Sequence, residues 1–234
     1  MRKWIQTILR PVIGNIMRKF PRVYELYQKA FFYCVEKNKL RGMHRVGYEY
    51  ADELGKILDK SGINYFYTYG TMLGLVREGG FIAHDSDIDM GVILDDNFSW
   101  EKLETCLKSI GFHKKHFFTY NDRITEQTYI KNGLSVDFFA YMLTENNSML
   151  TYCYVKEEGK EYEKDQWSIR YYKHSMFEGM KKIECHDVSF RIPLNPEKYL
   201  EEVYGPSWKT PNSGWISEKK TIEGAFGYIV RNYD

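Results

Sequence analysis

Apolar and polar residues alternate with two different periods along this chain, and the change of period predicts where helices give way to strands. Near the amino terminus, "WIQTILRPVIGNIM" carries apolar pairs four positions apart, which predicts a helix with one apolar face, although Pro11 and Gly14 weaken it. A second helical segment is predicted at about 23–37. The stretch "YEYADELGKILDKSG" then predicts a helix that ends at Gly62.

Beyond these helices, short runs of strand and helix character alternate. "INYFYTYG", "SDIDMGVIL" and "LSVDFFAYML" predict strands, whereas "TMLGLVREGG" and "LETCLKSIG" predict short helices that end at glycine. Residues 150–192 are typical of hairpins and loops, and "NPEKYLEEVYG" predicts a helix capped by Asn195 and stopped by Gly205. This order indicates an α+β fold in which a small mixed β-sheet is backed by helices.

The charge is distributed unevenly along the chain. The whole sequence has a net charge of +1, yet residues 1–46 hold 11 Lys and Arg against two Glu, and the other 188 residues hold 22 against 30 acidic residues. We therefore predict a basic amphipathic helical arm at 1–46 and an acidic body at 47–234. The arm could lie at a membrane surface through residues 1–20, or pack on the body or on a second copy of the chain. An acidic body disfavours a nucleic-acid partner.

The remaining composition indicates an unprocessed intracellular protein. No apolar run is long enough for a transmembrane helix, and no small-residue cleavage site follows the amino-terminal apolar residues. The four cysteines, Cys34, Cys106, Cys153 and Cys185, are scattered singly, as reduced thiols are in cytosolic proteins. We expect a cytoplasmic location, with a peripheral position at the inner face of the cell membrane if the arm binds lipid.

The strand "SDIDMGVIL" contains the strongest chemical signal. Alternation places Asp85, Asp87 and Asp89 on one face of that strand, where their charges repel unless a cation lies between them. Carboxylate oxygens suit Mg²⁺ or Mn²⁺ better than zinc. Asp137, a lone acid in the apolar strand "LSVDFFAY", is the predicted third ligand, because an unpaired carboxylate would be costly to bury there.

A phosphate site is predicted immediately upstream of the acids. Gly70 and Thr71 end one strand and open a helix, so their amides and the helix dipole could receive phosphate, and Arg77 could bind phosphate oxygens in a bidentate manner. The alternatives remain open at this point. The glycines could serve close packing, Asp85 could form a turn, and Arg77 could pair with Glu78 or Asp85.

Two segments resemble the LicD and fukutin group of the nucleotidyltransferase superfamily. They are "GTMLGLVREGGFIAHDSDIDMGV" and "IPLNPEKYLEEVYGPSWKTP", and with Asp137 between them the similarity spans roughly residues 48–211. The resemblance implies a nucleotidyltransferase-like fold and an enzyme. Such an enzyme transfers phosphocholine or an alditol phosphate, such as ribitol or glycerol phosphate, from a CDP-linked donor to a sugar of a capsule or teichoic-acid-like surface glycan.

The resemblance also implies roles for individual residues. Asp87 and Asp89 match the metal-binding pair, Asp137 matches the third carboxylate, and Gly70 and Thr71 match the phosphate-facing turn. We expect Asp137 to serve as the general base. Metal ligands and catalytic residues are therefore the same three aspartates.

Arg77 matches the arginine of the motif, with Asp85 beside it as a further substrate-binding residue. Ala83, His84 and Ser86 depart from many members, which bears on the identity of the donor. For the acceptor we expect the aromatic stretch that contains Trp167, Arg170, Tyr171 and Tyr172.

Two other classes of function compete with this interpretation. One is a catalytically silent nucleotide- or glycan-binding subunit of a polysaccharide assembly complex, against which the retention of all three acids argues. The other is a nucleotidyltransferase that moves the nucleotide itself to another substrate. The expected partners of the enzyme are the CDP-linked donor and a free or lipid-linked glycan acceptor.

Overall fold

A computed structural model describes residues 21–212 and 220–231 of the chain. The predicted membrane-binding segment, residues 1–20, lies outside these residues. Within the described part, the predicted segment at 23–37 and the helix ending at Gly62 form one helix of 41 residues, α1 (Pro21–Ser61), which crosses the predicted boundary at residue 46. No helix in the described ranges combines the length and apolar character needed to span a membrane.

The remaining elements follow α1 in short succession. The helices are α2 (Tyr69–Arg77), α3 (Trp100–Ser109) and α4 (Pro196–Tyr204). The strands are β1 (Tyr65–Tyr67), β2 (Asp87–Ile93), β3 (His113–Tyr120), β4 (Arg123–Lys131), β5 (Leu134–Thr144), β6 (Ser148–Val155), β7 (Gln166–Ser175), β8 (Met180–Cys185), β9 (Val188–Pro193) and β10 (Lys220–Arg231).

Most of the strands belong to a single sheet with the order β1-β2-β5-β4-β3-β10-β7-β6. A further pairing of β5 with β6 closes six strands into a barrel-like ring, and β8 and β9 form a separate hairpin. The α+β prediction is confirmed, but the prediction of a small sheet is wrong. Sequence patterning did not identify β3, β4 and β10, because polar residues in these strands interrupt the alternation of apolar and polar positions.

Strand directions divide the sheet into two parts. β2 and β5 run parallel, whereas the other strand pairs of the described chain are antiparallel. Parallel neighbours need a crossover connection between them. Here α3, β3 and β4 supply it, and α3 packs against α1.

A buried ring of hydroxyl groups ties the start of α2 to the sheet and to α4. The Thr68 Oγ1 lies 2.8 Å from the Tyr141 hydroxyl and 2.5 Å from the Tyr199 hydroxyl, and the two tyrosine hydroxyls are 2.6 Å apart. All three side chains are buried in the main core. Because each hydroxyl both donates and accepts, none is left unsatisfied, and β1, β5 and α4 are held at one junction.

Gly74 allows α2 to approach the turn that follows it. A Cβ atom at Gly74 would lie 2.5 Å from the Gly80 carbonyl oxygen and 2.9 Å from the Ile82 nitrogen. At Gly42, inside α1, a Cβ atom would meet nothing nearer than 3.8 Å. The close-packing alternative therefore describes Gly74.

We expect Gly74→Ala to lower the free energy of unfolding by roughly 1–3 kcal/mol, because backbone atoms must move to admit the methyl group. Gly42→Ala is the matched control and should raise it by up to about 1 kcal/mol through helix propensity. Urea unfolding followed by circular dichroism measures both changes. Equal stability of the two variants would contradict the close approach.

Candidate functional site

The first turn of α2 is bonded to β2 through Asp89. The Gly70 amide donates to the Asp89 Oδ2 at 3.0 Å, and the Asp89 amide donates to the Thr71 Oγ1 at 2.9 Å. Tyr69, which begins the helix after Thr68, has a φ of +39°, an unfavourable value for a side chain other than glycine. The Gly70 amide predicted to face phosphate therefore holds a carboxylate, and Thr71 positions the backbone beneath it.

Asp85 and Asp89 meet at Gly70 and Asp87 lies near both of them, although not all three lie on the strand. Asp87 and Asp89 belong to β2, but Asp85 precedes it in a turn in which its amide donates to the Ile82 carbonyl at 2.9 Å. A Cβ atom on Gly70 would stand 2.7 Å from the Asp85 Oδ2 and 3.2 Å from the Asp89 Oδ2. The placement of Asp85 on the strand was wrong, yet the turn still delivers its carboxylate to the same spot.

Asp137 joins the group through strand register. Asp89 of β2 stands opposite Asp137 of β5, and Asp137 stands opposite Thr128 of β4. Thr128 in turn faces His116 of β3, which places four polar side chains in one row across four strands. The Thr128 hydroxyl donates to the Asp137 Oδ1 at 2.5 Å and lies 3.0 Å from the His116 Nε2.

The protonation state of His116 follows from its surroundings. Burial first, and then the positive charges of Lys115 and Arg231, lower the pKa of His116 to about 4. The imidazole is therefore neutral at pH 7. Because the Thr128 hydroxyl donates its proton to Asp137, its oxygen accepts from the His116 Nε2–H.

Electrostatic strain among the carboxylates favours a cation. Burial first, and then the charges of Asp87, Asp85 and Asp137, raise the pKa of Asp89 well above its usual range. Burial and the Asp87 and Glu78 charges raise the pKa of Asp85 to about 7. The Asp85 Oδ2 is buried and accepts no hydrogen bond from any described residue.

These observations fit a hard divalent ion, which would supply the missing partner and relieve the repulsion. Among the described residues, however, no three His, Cys, Asp or Glu side chains are already grouped as metal ligands.

Arg77 lies at the opposite end of α2 from Gly70. Its Nη2 bonds to the Glu78 Oε1 at 2.6 Å, and its Nη1 donates to the Trp208 carbonyl at 3.3 Å. The pairing with Glu78 anticipated as an alternative is therefore present. The Nε is buried and has no hydrogen-bond partner among the described residues. Its predicted role in binding phosphate stays a prediction.

A cavity of about 350 Å³ opens beside Gly70 and Asp89. Four strands of the closed ring, β4 to β7, line it together with α2 and α4. The side chains that define its walls are Tyr69, Glu126, Phe139, Tyr154, Tyr172 and Tyr204. Burial first, and then the Asp89 charge, raise the pKa of Tyr204, so α4 delivers its last tyrosine close to the carboxylates.

Only part of the aromatic stretch expected to bind the acceptor reaches this cavity. Tyr172 lines it, whereas Tyr171 alternates to the other face of β7. Trp167 meets Phe118 at a ring separation of 5.5 Å, and Arg170 pairs with Glu157 at 3.5 Å.

Sequence patterning missed His116, Glu126, Thr128, Tyr69 and Tyr204 as members of the site. The sequence marks β4 only by the polar run "TEQT" between Ile124 and Tyr129, and the structure shows that all four of these side chains are buried. Buried polar residues on both faces of a strand need partners there. No comparable signal marks His116, which depends on the pairing of β3 with β4.

Comparison with known proteins now assigns the family. The family model described as LicD/FKTN/FKRP, nucleotidyltransferase domain, matches residues 62–195, more than half of the chain. The chain belongs to this family. The matched region contains all four site aspartates and Glu126, and it ends just before α4 brings Tyr204 to the cavity.

Individual relatives of this LicD-family chain are distant. It is 25% identical over 161 residues to human ribitol-5-phosphate transferase FKTN, which covers 68% of this chain and 32% of FKTN. It is 23% identical over 175 residues to an uncharacterized protein of Rickettsia prowazekii, covering 74% of this chain and 59% of that protein. An uncharacterized Caenorhabditis elegans protein is 25% identical over 198 residues, which cover 80% of this chain and 49% of that protein. The chain thus spans less than two thirds of each of these relatives.

The raised pKa of Asp85 predicts a pH-dependent stability. Since the folded state holds this proton more tightly than the unfolded chain, the stabilisation is complete below about pH 4 and is lost as the pH rises through 7. In EDTA, Asp85→Asn should therefore gain roughly 1–2 kcal/mol over wild type between pH 5 and pH 8. The lowered pKa of His116 makes stability change with pH in the opposite direction. This effect is the same in wild type and variant, so it cancels when the two are compared.

Thermal melts at several pH values measure the difference, and Asp96→Asn, which changes an exposed acid, is the control. A constant difference between wild type and Asp85→Asn across this range would contradict the placement of Asp85.

The hydrogen bond from Thr128 predicts a second effect. Thr128→Val keeps the shape of the side chain but removes the donor to Asp137, so the rise in melting temperature caused by Mn²⁺ should shrink by more than half. Thr128→Ser keeps the donor and should retain most of that rise. If the valine and serine variants respond alike to Mn²⁺, the hydroxyl does not orient Asp137 for the ion.

Proposed function

We propose that this chain is a metal-dependent phosphotransferase that moves a substituted phosphate from a CDP-linked donor to a sugar of a surface glycan. The transferred group would be phosphocholine or an alditol phosphate such as ribitol or glycerol phosphate. The observation that carries the proposal is the grouping of Asp85, Asp87 and Asp137 around Asp89, which the Gly70 amide holds at the first turn of α2. Family membership and the similarity to a ribitol-5-phosphate transferase support it.

Asp87, Asp89 and Asp137 are the residues that would hold Mg²⁺ or Mn²⁺. When bound, the ion would neutralise the donor diphosphate and the charge that develops on the leaving CMP. The protein would keep these carboxylates in place from two sides, through the Gly70 amide on Asp89 and the Thr128 hydroxyl on Asp137.

The chain's own residues would then orient the reaction. The acceptor hydroxyl oxygen forms a bond to the donor's distal phosphorus, while the bond from that phosphorus to the bridging oxygen breaks and CMP leaves with the electron pair. Asp137 would take the hydroxyl proton, since it is a carboxylate that the Thr128 hydroxyl orients beside the metal-binding acids. We assign contacts with phosphate to Thr71 and Arg77, while Asp85 acts through the ion and Gly70 through the Asp89 carboxylate that its amide holds.

The proposal also covers the glycan acceptor and the location of the enzyme in the cell. A free or lipid-linked precursor of a capsule or teichoic-acid-like glycan would supply the acceptor hydroxyl. The basic segment 1–20 would bring the enzyme to the inner face of the cell membrane, where such precursors are assembled. Nucleic acid is not among the proposed partners.

The test incubates the full chain with Mg²⁺, a panel of CDP-choline, CDP-ribitol and CDP-glycerol, and a glycan acceptor, and follows the release of CMP. Asp89→Asn should lose activity on the order of 10²-fold or more, because it removes a ligand charge and the acceptor of the Gly70 amide. Asp96→Asn, an exposed acid near the end of β2, is the matched control and should leave turnover unchanged.

Other outcomes identify the competing functions. Binding of CDP without turnover of any donor would instead indicate a silent binding subunit. Release of pyrophosphate from a nucleoside triphosphate would indicate transfer of the nucleotide itself. Turnover that survives Asp89→Asn would refute the proposed site.

A further inference from the structure

His116 is a half-buried polar residue to which the proposed reaction gives no role. It stands at the end of the row that runs from Asp89 through Asp137 and Thr128. Thr128, between His116 and Asp137, is only 3% exposed. Because so little of this side chain meets water, its hydroxyl must find its hydrogen bonds within the row. The row therefore links His116 to one of the residues that would hold the ion.

The hydroxyl of Thr128 has two neighbours in the row but only one proton to donate. It lies 2.5 Å from the Asp137 Oδ1 and 3.0 Å from the His116 Nε2. If the Nε2 carried no proton, Asp137 and His116 would compete for the proton of the hydroxyl. With the N–H of the neutral imidazole at Nε2, the hydroxyl accepts from His116 and donates to Asp137. The tautomer of His116 therefore decides whether Asp137 keeps this hydrogen bond.

Packing holds the imidazole of His116 in the orientation that this bond requires. The Phe118 ring meets it edge to face, at a centroid distance of 5.6 Å and an angle of 89°. Phe118 in turn stacks on Tyr154 at 4.3 Å and 8°. On the other neighbouring strand Arg231 stands opposite His116, and its guanidinium donates to Asp165. The imidazole is thus supported on both sides while its Nε2 meets the Thr128 hydroxyl.

We propose that His116 is a positioning residue of the metal site, whose Nε2–H directs the Thr128 proton to Asp137 and so fixes the orientation of that carboxylate. The assignment rests on the proposed function, because it takes Asp137 as a ligand of the ion. His116 acts only through Thr128, which occupies its Nε2, and it is neither a ligand nor the base. Groups that orient a metal ligand typically change metal affinity by about 10–100-fold.

Isothermal titration of the full chain with Mn²⁺ tests the assignment without any substrate. His116→Phe keeps an aromatic ring beside Phe118 but removes the N–H, so it should weaken Mn²⁺ binding by about tenfold. His116→Gln places an amide N–H near the position of Nε2 and should restore most of the affinity. His113→Gln, which changes an exposed histidine at the start of the same strand, is the matched control and should bind like wild type.

A double-mutant cycle separates positioning from packing. In Thr128→Val, which already lacks the hydroxyl, His116→Phe should cause no further loss of Mn²⁺ affinity. A role in packing alone would instead weaken binding by the same factor in both backgrounds. Thermal melts verify that each variant is folded.

NMR of the imidazole nitrogens in the metal-free chain gives a second readout, with His116→Gln used to assign the signals. Wild type should hold His116 as the Nε2–H tautomer. In Asp137→Ala the Thr128 hydroxyl loses its acceptor and can donate to Nε2, so the Nδ1–H tautomer should appear. This comparison keeps the proposal testable if His116→Phe does not fold.

The outcomes separate this inference from the proposed function. Mn²⁺ affinity that falls in Asp137→Ala but not in His116→Phe would overturn the inference and leave the metal site standing. An equal loss from His116→Phe with and without the Thr128 hydroxyl would overturn it too. Unchanged Mn²⁺ affinity in Asp137→Ala would refute the proposed metal site. In that case a change of the His116 tautomer in the same variant would still support the proton order of the row, and an unchanged tautomer would overturn it.

Discussion

The parallel register of β2 against β5 is the constraint on which the site depends. It places Asp89 beside Asp137, and the antiparallel pairing of β4 then adds Thr128 to the same row. A slip of one residue would turn the acids of β2 to the apolar face, where Ile88 and Met90 are fully buried. The burial of the apolar face therefore holds the carboxylates together against their mutual repulsion.

Hydrogen bonds from neighbouring elements then orient two of the carboxylates. The amide at the start of α2 holds Asp89, and the hydroxyl on β4 holds Asp137. The buried hydroxyls of Thr68, Tyr141 and Tyr199 anchor the start of α2, so the position of α4 influences the acids indirectly. The two segments of this chain that resemble the LicD and fukutin group, although far apart in sequence, are therefore connected in the structure. One carries the acids, and the other carries the helix that locks their support and supplies Tyr204.

Closure of the six-stranded ring creates the second feature of the site. The cavity is lined by residues from four strands of the ring. These residues are far apart in the sequence, so no local pattern indicates that they meet. Ala83 and His84 are exposed in the turn before β2, whereas Glu126 and Tyr172 are buried in the cavity. Substrate choice can therefore reside in the cavity wall as well as in the motif itself.

Local patterns in the sequence were sufficient for the elements around the acids. The alternation of β2, the glycine-bounded α2 and the lone acid of β5 all identify residues that the structure brings together at one end of the sheet. They were insufficient for Asp85, which a turn places near Gly70, and for β3 and β4, whose polar residues hide their strand character.

The sequence by itself determined the α+β class, the family and the acidic residues, because these depend on residue types at short spacing. Only the tertiary structure decided which residues face the acidic residues. Strand register and ring closure join Thr128, His116 and Glu126 to the acids, and these pairings depend on contacts between residues remote in the chain. Such contacts are set by the packing of the whole core and leave no local pattern.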